Sequence, residues 1–154
     1  MKKSAAIYKR YNKGYLIYSW VKAVSGLHIA AEPYIIIHEG GAYEDKIAGA
    51  IKAALCLDMG TEKRTPDPKD WKEFNKDFFR KAGLKTMKEL NQLTNKYVSV
   101  DENDSELIFK PSKHAEKLSH GYLPKDKTET VTIPNNASNY DIVMALELAL
   151  SKCN

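Results

Sequence analysis

The chain has 154 residues, 43% hydrophobic and 29% charged, which fits one globular domain spanning 1–154 and excludes long disorder. Two cysteines, Cys56 and Cys153, make no disulfide framework, and no run approaches the roughly 18 apolar residues of a membrane-spanning helix. The net charge of +4 is unevenly spread: residues 1–31 hold six bases and no acid, and the remainder has 18 bases against 20 acids.

Met1-Lys2-Lys3 opens like a secretory signal. Lys9, Arg10, Asn12 and Lys13 return before an apolar core of about 7 residues can form, so the chain is expected to stay where it is made, with two reduced thiols. Residues 4–12 and 14–23 read as strands, and Asn12-Lys13-Gly14 between them supplies hairpin chemistry. The basic residues of this hairpin have two readings: attraction to nucleic acid or an acidic partner, or solvation of an edge strand against aggregation. A third strand, Leu27 to His38, carries the apolar run Tyr34-Ile35-Ile36-Ile37, which suggests a strand central in the sheet or covered on both faces.

Residues 43–57 read as a helix with Ile47, Ile51 and Leu55 on one stripe and Glu44 and Asp45 in the first turn, where the helix dipole favours acids. Asp67-Pro68 starts a second helix with Trp71, Phe74 and Phe78 on its apolar face, and Gly83 ends it. A short third helix follows from Thr86, where Thr86 and Glu89 have capping-box spacing. Strands at Tyr97–Val100 and Glu106–Lys110 flank an acidic turn, and a loop runs from Pro111 to Gly121. A last strand, Thr128–Ile133, leads into a helix over 139–152, with Ser138 and Asp141 as its capping box. The order βββ-α-α-α-βββ-α predicts the α+β class: a mainly antiparallel sheet of about six strands with helices packed on it. Shifted by 95 positions, Ile47, Ala50, Ile51 and Leu55 fall on Ile142, Ala145, Leu146 and Leu150. Duplication and convergence of two amphipathic helices both account for that echo.

Recognisable catalytic signatures are missing. The Gly40-Gly41 pair lacks the remaining residues of a phosphate-binding loop. His114 and His120 share a loop without a carboxylate or thiol at ligand spacing, so no metal is expected there; the pair could serve as acid and base of an RNase-like site, but nothing fixes a phosphate beside them, and surface histidines with no cofactor or catalytic residue are the expected reading. Tyr8, Tyr11, Tyr15 and Tyr18 interleave with Lys9, Arg10 and Lys13, a pattern that serves single-stranded nucleic acid or sheet packing equally well. Asp101, Glu102, Asp104 and Glu106 make either a solvated turn or an acidic finger for a basic cleft; Glu39, Glu44 and Asp45 form a second acidic group.

Several segments together resemble a known family. They are Pro66-Asp67-Pro68-Lys69-Asp70-Trp71-Lys72, the short helix after Leu84-Lys85-Thr86, Leu107-Ile108-Phe109-Lys110-Pro111 behind an acidic turn, and Val131-Thr132-Ile133-Pro134-Asn135-Asn136-Ala137-Ser138 before an alanine- and leucine-rich helix. Over about residues 30–152 the chain resembles the immunity proteins of bacterial contact-dependent growth inhibition systems. The resemblance implies a cytoplasmic, non-enzymatic protein that binds the C-terminal domain of a cognate toxin one to one. Such a toxin is often a tRNase or another nuclease, and the immunity protein blocks its active site or a nearby site. It implies no membrane, small-molecule or cofactor partner. The alternative is a small nucleic-acid-binding module built on the N-terminal hairpin. Nuclease inhibitors usually carry net negative charge, so a net charge of +4 requires that the acids be gathered on one face, that the toxin not be strongly basic, or that binding lie outside its active site.

Overall fold

A computed structural model describes residues 3–22, 28–40, 44–55, 71–117 and 121–154. Seven strands form one antiparallel sheet: β1 (Lys3–Arg10), β2 (Gly14–Lys22), β3 (His28–Ile37), β4 (Lys96–Glu102), β5 (Glu106–His114), β6 (Tyr122–Pro124) and β7 (Val131–Pro134). The order across it is β3-β2-β1-β4-β5, with β6 and β7 pairing with different stretches of β5. Four helices complete the fold: α1 (Glu44–Ala54), α2 (Trp71–Ala82), α3 (Met87–Leu90) and α4 (Asn139–Ser151). The α+β class and the order of elements are those expected, with the short β6 as an additional strand.

The period-2 alternation of β1 divides the interior. Ala5 and Ile7 face an aliphatic core built with α1 and α4, whereas Ala6 and Tyr8 face an aromatic core built with α2 and α3. Fully burying a side chain the size of Ile7 contributes about 1.5–3 kcal/mol. Ile47, Ala50 and Ile51 of α1, Leu55 just after it, and their counterparts Ile142, Ala145, Leu146 and Leu150 of α4 all enter the aliphatic core. The echo at 95 positions thus reflects two helices on one face of the sheet.

Strand positions differ from two expectations. β1 is interior, hydrogen-bonded to β2 and β4, so its bases do not guard an edge. The apolar β3 is the edge strand instead, and Ile36 is exposed. Pro33 explains its place. Proline cannot donate to a ladder, and the pairing jumps from Tyr18–Tyr34 to Ser19–Ala31 around a cis Glu32-Pro33 bond.

Other boundaries shift by local chemistry. β5 continues to His114 through what was expected to be loop, and a 3-10 turn at Lys127–Glu129 delays the last strand to Val131. The Asp67-Pro68 helix start and Cys56 lie outside the described residues. Ser138 caps α4 by accepting from the Asp141 N–H, while Thr86 makes no side-chain cap. Glu89 instead accepts from the Lys85 N–H at 2.8 Å and from Arg10 at 3.2 Å.

The β1–β2 turn depends on Gly14. Its φ is +88°, and an added Cβ would lie 1.9 Å from the Ile37 carbonyl oxygen. Gly40 has φ +85° with open space around it. Gly40→Ala is therefore expected to cost backbone strain alone, about 1–2 kcal/mol, and Gly14→Ala distinctly more. Urea unfolding midpoints should fall in the order wild type, Gly40→Ala, Gly14→Ala; equal midpoints for the two variants would refute this role for the hairpin glycine.

Candidate functional site

The acidic stretch 101–106 divides into a buried brace and an exposed tip. Asp101 is 6% exposed and accepts from Ser4 Oγ at 2.7 Å and from Lys110 Nζ. Its carboxylate ties β4 to both neighbouring strands, so it is turned inward, unlike the acid expected to sit on an exposed finger. Asp104 and Glu106 are exposed and Glu102 is half-buried. Asn103 shapes the turn by accepting from the Ser105 and Glu106 N–H groups at 3.0 and 2.8 Å. Asn135 steadies it, donating its backbone N–H to the Ser105 carbonyl and its side chain to the Asp104 carbonyl.

Part of the second acidic group joins the same neighbourhood. Asp45 accepts from Asn139 Nδ2 at 3.0 Å, and Asn139 Oδ1 accepts from Lys52. Asn135 and Asn139 lie four residues apart where β7 gives way to α4, so one connection braces both the acidic tip and the start of α1. Glu44 is exposed in that same first turn. Glu39 is exposed at the other end of the sheet, beside Tyr15. Glu102 pairs with Lys3, Gly14 pairs with Arg10, and the Gly14 turn packs on the Glu39 backbone. The length of β1, roughly 23 Å at the usual rise per residue, separates Glu39 from the acidic tip.

Beside the tip runs an apolar surface that the sequence reading passed over. Tyr140, Met144 and Leu148 of α4 are 59%, 45% and 50% exposed, and they form one stripe at four-residue spacing. Met144 and Leu148, with Ile133, Pro134, Ala137 and Asp141, line a groove of about 360 Å³. Pro134 is the register partner of Glu106, which places the groove next to the acidic tip. The available signal was that α4 carries large apolar residues on the side opposite Ile142, Leu146 and Leu150.

The other face of the sheet is aromatic. Tyr8 and Tyr18 are buried, and their rings meet each other and those of Tyr97, Tyr122, Trp20, Tyr34 and Phe78 at centroid distances of 4.7–6.1 Å. Burial raises the phenol pKa throughout, to about 12 for Tyr97, so the phenols are neutral at physiological pH. Tyr15 is buried in the aliphatic core. Of the hairpin tyrosines considered for nucleic-acid stacking, only Tyr11 is exposed, and Arg10 is paired with Glu89. That removes most of the stacking platform. His114 is not on a free loop: its Nε2 lies 2.9 Å from the Asn95 carbonyl and its ring packs on Tyr122. His38 is exposed, and His120 is outside the described residues. Among the described residues, no group of three His, Cys, Asp or Glu side chains is placed to hold a metal, and no helix is long and apolar enough to cross a membrane.

The chain matches the family model for the CDI immunity protein (CdiI) over residues 3–153. Of the curated proteins, none matches. Among solved structures, it is similar to a Neisseria meningitidis protein of unknown function, with TM-score 0.72 and 18% identity, covering 100% of this chain and 96% of that one. It is also similar to a chain of the CdiA-CT/CdiI toxin and immunity complex from Yersinia pseudotuberculosis, with TM-score 0.64 and 16% identity, covering 100% and 98%. At those identities the two structures establish the shared fold.

Two outcomes follow from this geometry. Lys110→Met removes the Lys110 ammonium from Asp101 and is expected to lower stability by about 1–3 kcal/mol, read from urea unfolding; an unchanged midpoint would show that this contact does not brace β4 against β5. The aromatic core sets an alkaline limit. The buried phenols ionise above the ordinary value of 10.0, to which they return on unfolding. The unfolded chain therefore binds fewer protons above that pH, and folding stability should decline as pH rises past it. Unfolding free energy that stays flat through that range would contradict the burial of the phenols.

Proposed function

The chain belongs to the CDI immunity protein family, and we propose that it binds the C-terminal toxin domain of its cognate growth-inhibition protein one to one in the cytoplasm and neutralises it by occupying its surface. The match over residues 3–153 carries this reading. A similar chain in a toxin and immunity complex supports the choice of partner. Neutralisation of this kind needs no catalytic group, cofactor or small-molecule substrate.

The exposed acids suit a nuclease toxin such as a tRNase, because an enzyme that binds the phosphate backbone presents cations to it. The net charge of +4 does not oppose this. Association responds to the local field, and Glu102, Asp104 and Glu106 stand together beside the apolar stripe of α4, with Glu44 and Asp45 near the same connection. In this arrangement the acids steer encounter, and Tyr140, Met144 and Leu148 supply the area that excludes water. Asp101 serves by holding the turn, and Glu39 is a peripheral contact from the far end of the sheet. Blocking the toxin's active site or a site beside it achieves the same inhibition.

Co-purification with the toxin domain tests the proposal: a stable one-to-one complex that abolishes toxicity is expected, and its absence would overturn it. The triple variant Glu102→Lys, Asp104→Lys, Glu106→Lys should slow association by about 10–100-fold at low salt. The effect should shrink as ionic strength rises. Met144→Glu should mainly speed dissociation. Unchanged kinetics in both variants would move the interface to another face.

A further inference from the structure

The groove between β7 and α4 is apolar along its length and charged at one point. Ile133 and Ala137, which pack on the aliphatic core, line one side, and Met144, Ala145 and Leu148 of α4 line the other. Among the described residues, the one charged group that lines it is Asp141. The Asp141 backbone N–H donates to Ser138 Oγ at 3.2 Å, but its exposed carboxylate has neither a hydrogen-bond nor an ion-pair partner among the described residues. The amino end of α4 favours this negative charge without giving the side chain a directed donor. Lys52, which reaches the start of α4, is held by Asn139 instead at 2.7 Å. Glu106, exposed and the register partner of Pro134, adds a second negative charge at the same end.

These walls select the occupant. An acidic or phosphate group would meet Asp141 and Glu106 with no base in the lining to hold it. A plain hydrocarbon side chain would fill the groove but strip water from the Asp141 carboxylate without replacing it, which is costly for an ionised group. A long aliphatic stem that ends in a cation satisfies both parts: the stem lies on the apolar walls and the head reaches the carboxylate. The groove's volume of about 360 Å³ lies at the small end of the range for ligand sites, roughly 300–1,000 Å³, and suits one such side chain. We propose that this groove is a socket for a single lysine or arginine side chain of the protein partner, with its stem on Ile133, Ala137, Met144 and Leu148 and its cation on the Asp141 carboxylate. Asp141 then determines specificity through a contact made in the complex, whereas Asp104 and Glu106 act on the approach. The proposal rests on the immunity reading for the identity of the partner, and on the groove alone for its chemistry.

Asp141→Asn keeps the side-chain shape and the backbone bond to Ser138, and its urea midpoint checks that it stays folded. In the one-to-one complex with the toxin domain it should speed dissociation by about 10–100-fold with little change in association. The effect should persist at high salt, because a contact closed off from water is weakly screened. Replacing the exposed lysines and arginines of the toxin domain by methionine, one at a time, should find one whose loss has the same effect and after which Asp141→Asn has no further effect. Unchanged dissociation, an effect confined to association and erased by salt, or coupling to no single base would overturn the socket, while the complex itself upholds the immunity reading. If no complex forms, the immunity reading fails and the free chain decides the groove. There N-acetyl-lysine amide and N-acetyl-arginine amide are titrated while the Met144 methyl, assigned with Met144→Leu, is followed by NMR. A saturable shift that is lost in Asp141→Asn and absent with N-acetyl-norleucine amide is expected; no such shift, an equal response to the norleucine probe, or a response that survives Asp141→Asn refutes the socket.

Discussion

The structure depends on burying β1 on both faces and hydrogen-bonding it along both edges. Ala5 and Ala6 let backbone layers approach closely, while Ile7 and Tyr8 fill one core each. Such a strand has no freedom of register: a slip of one residue would move Ile7 into the aromatic core and Tyr8 into the aliphatic one. Polar contacts at its ends reinforce this register. Ser4 holds Asp101 on one side, and Arg10 reaches Glu89 at the other end. Ser19, on the neighbouring strand, donates to the Ala54 carbonyl at the end of α1, which satisfies two polar groups inside the core.

The two faces then acquire different surfaces. On the aliphatic side, α4 uses Ile142, Leu146 and Leu150 to cover the sheet, and its remaining large apolar residues are left facing solvent beside the Asp104–Glu106 turn. On the aromatic side, the packed rings leave an opening of about 310 Å³ lined by Tyr8, Trp20, Tyr97 and Tyr122. A protein with a net positive charge thereby presents exposed acids beside an apolar helical stripe on one side of the sheet and an aromatic-lined opening on the other.

Some elements were legible because their signals are local. Gly83 ends α2, Ser138 caps α4, and the acidic turn between β4 and β5 falls where Asp101 to Glu106 suggested. Others misled because one signal outweighed another. The run Tyr34-Ile35-Ile36-Ile37 argues for a central strand, yet Pro33 just before it marks an edge strand. The spacing of Thr86 and Glu89 is right for a capping box, but Arg10, 79 positions from Glu89, and the Lys85 N–H claim the carboxylate. His114 reads as a loop histidine until β6 pairs with β5 and brings Tyr122 against it.

The sequence by itself determined the fold class, the order of elements, the absence of a recognisable catalytic signature and the resemblance to an immunity family. Those properties rest on periodicity, turn chemistry and motif order, which act over a few residues at a time. Only the tertiary structure decided which strands are interior, which acid is a brace and which acids are exposed. The reason is physical: burial and pairing are set by residues distant in sequence. Asp101 turns inward because Ser4 and Lys110 meet it there, and nothing within the acidic run itself specifies that meeting.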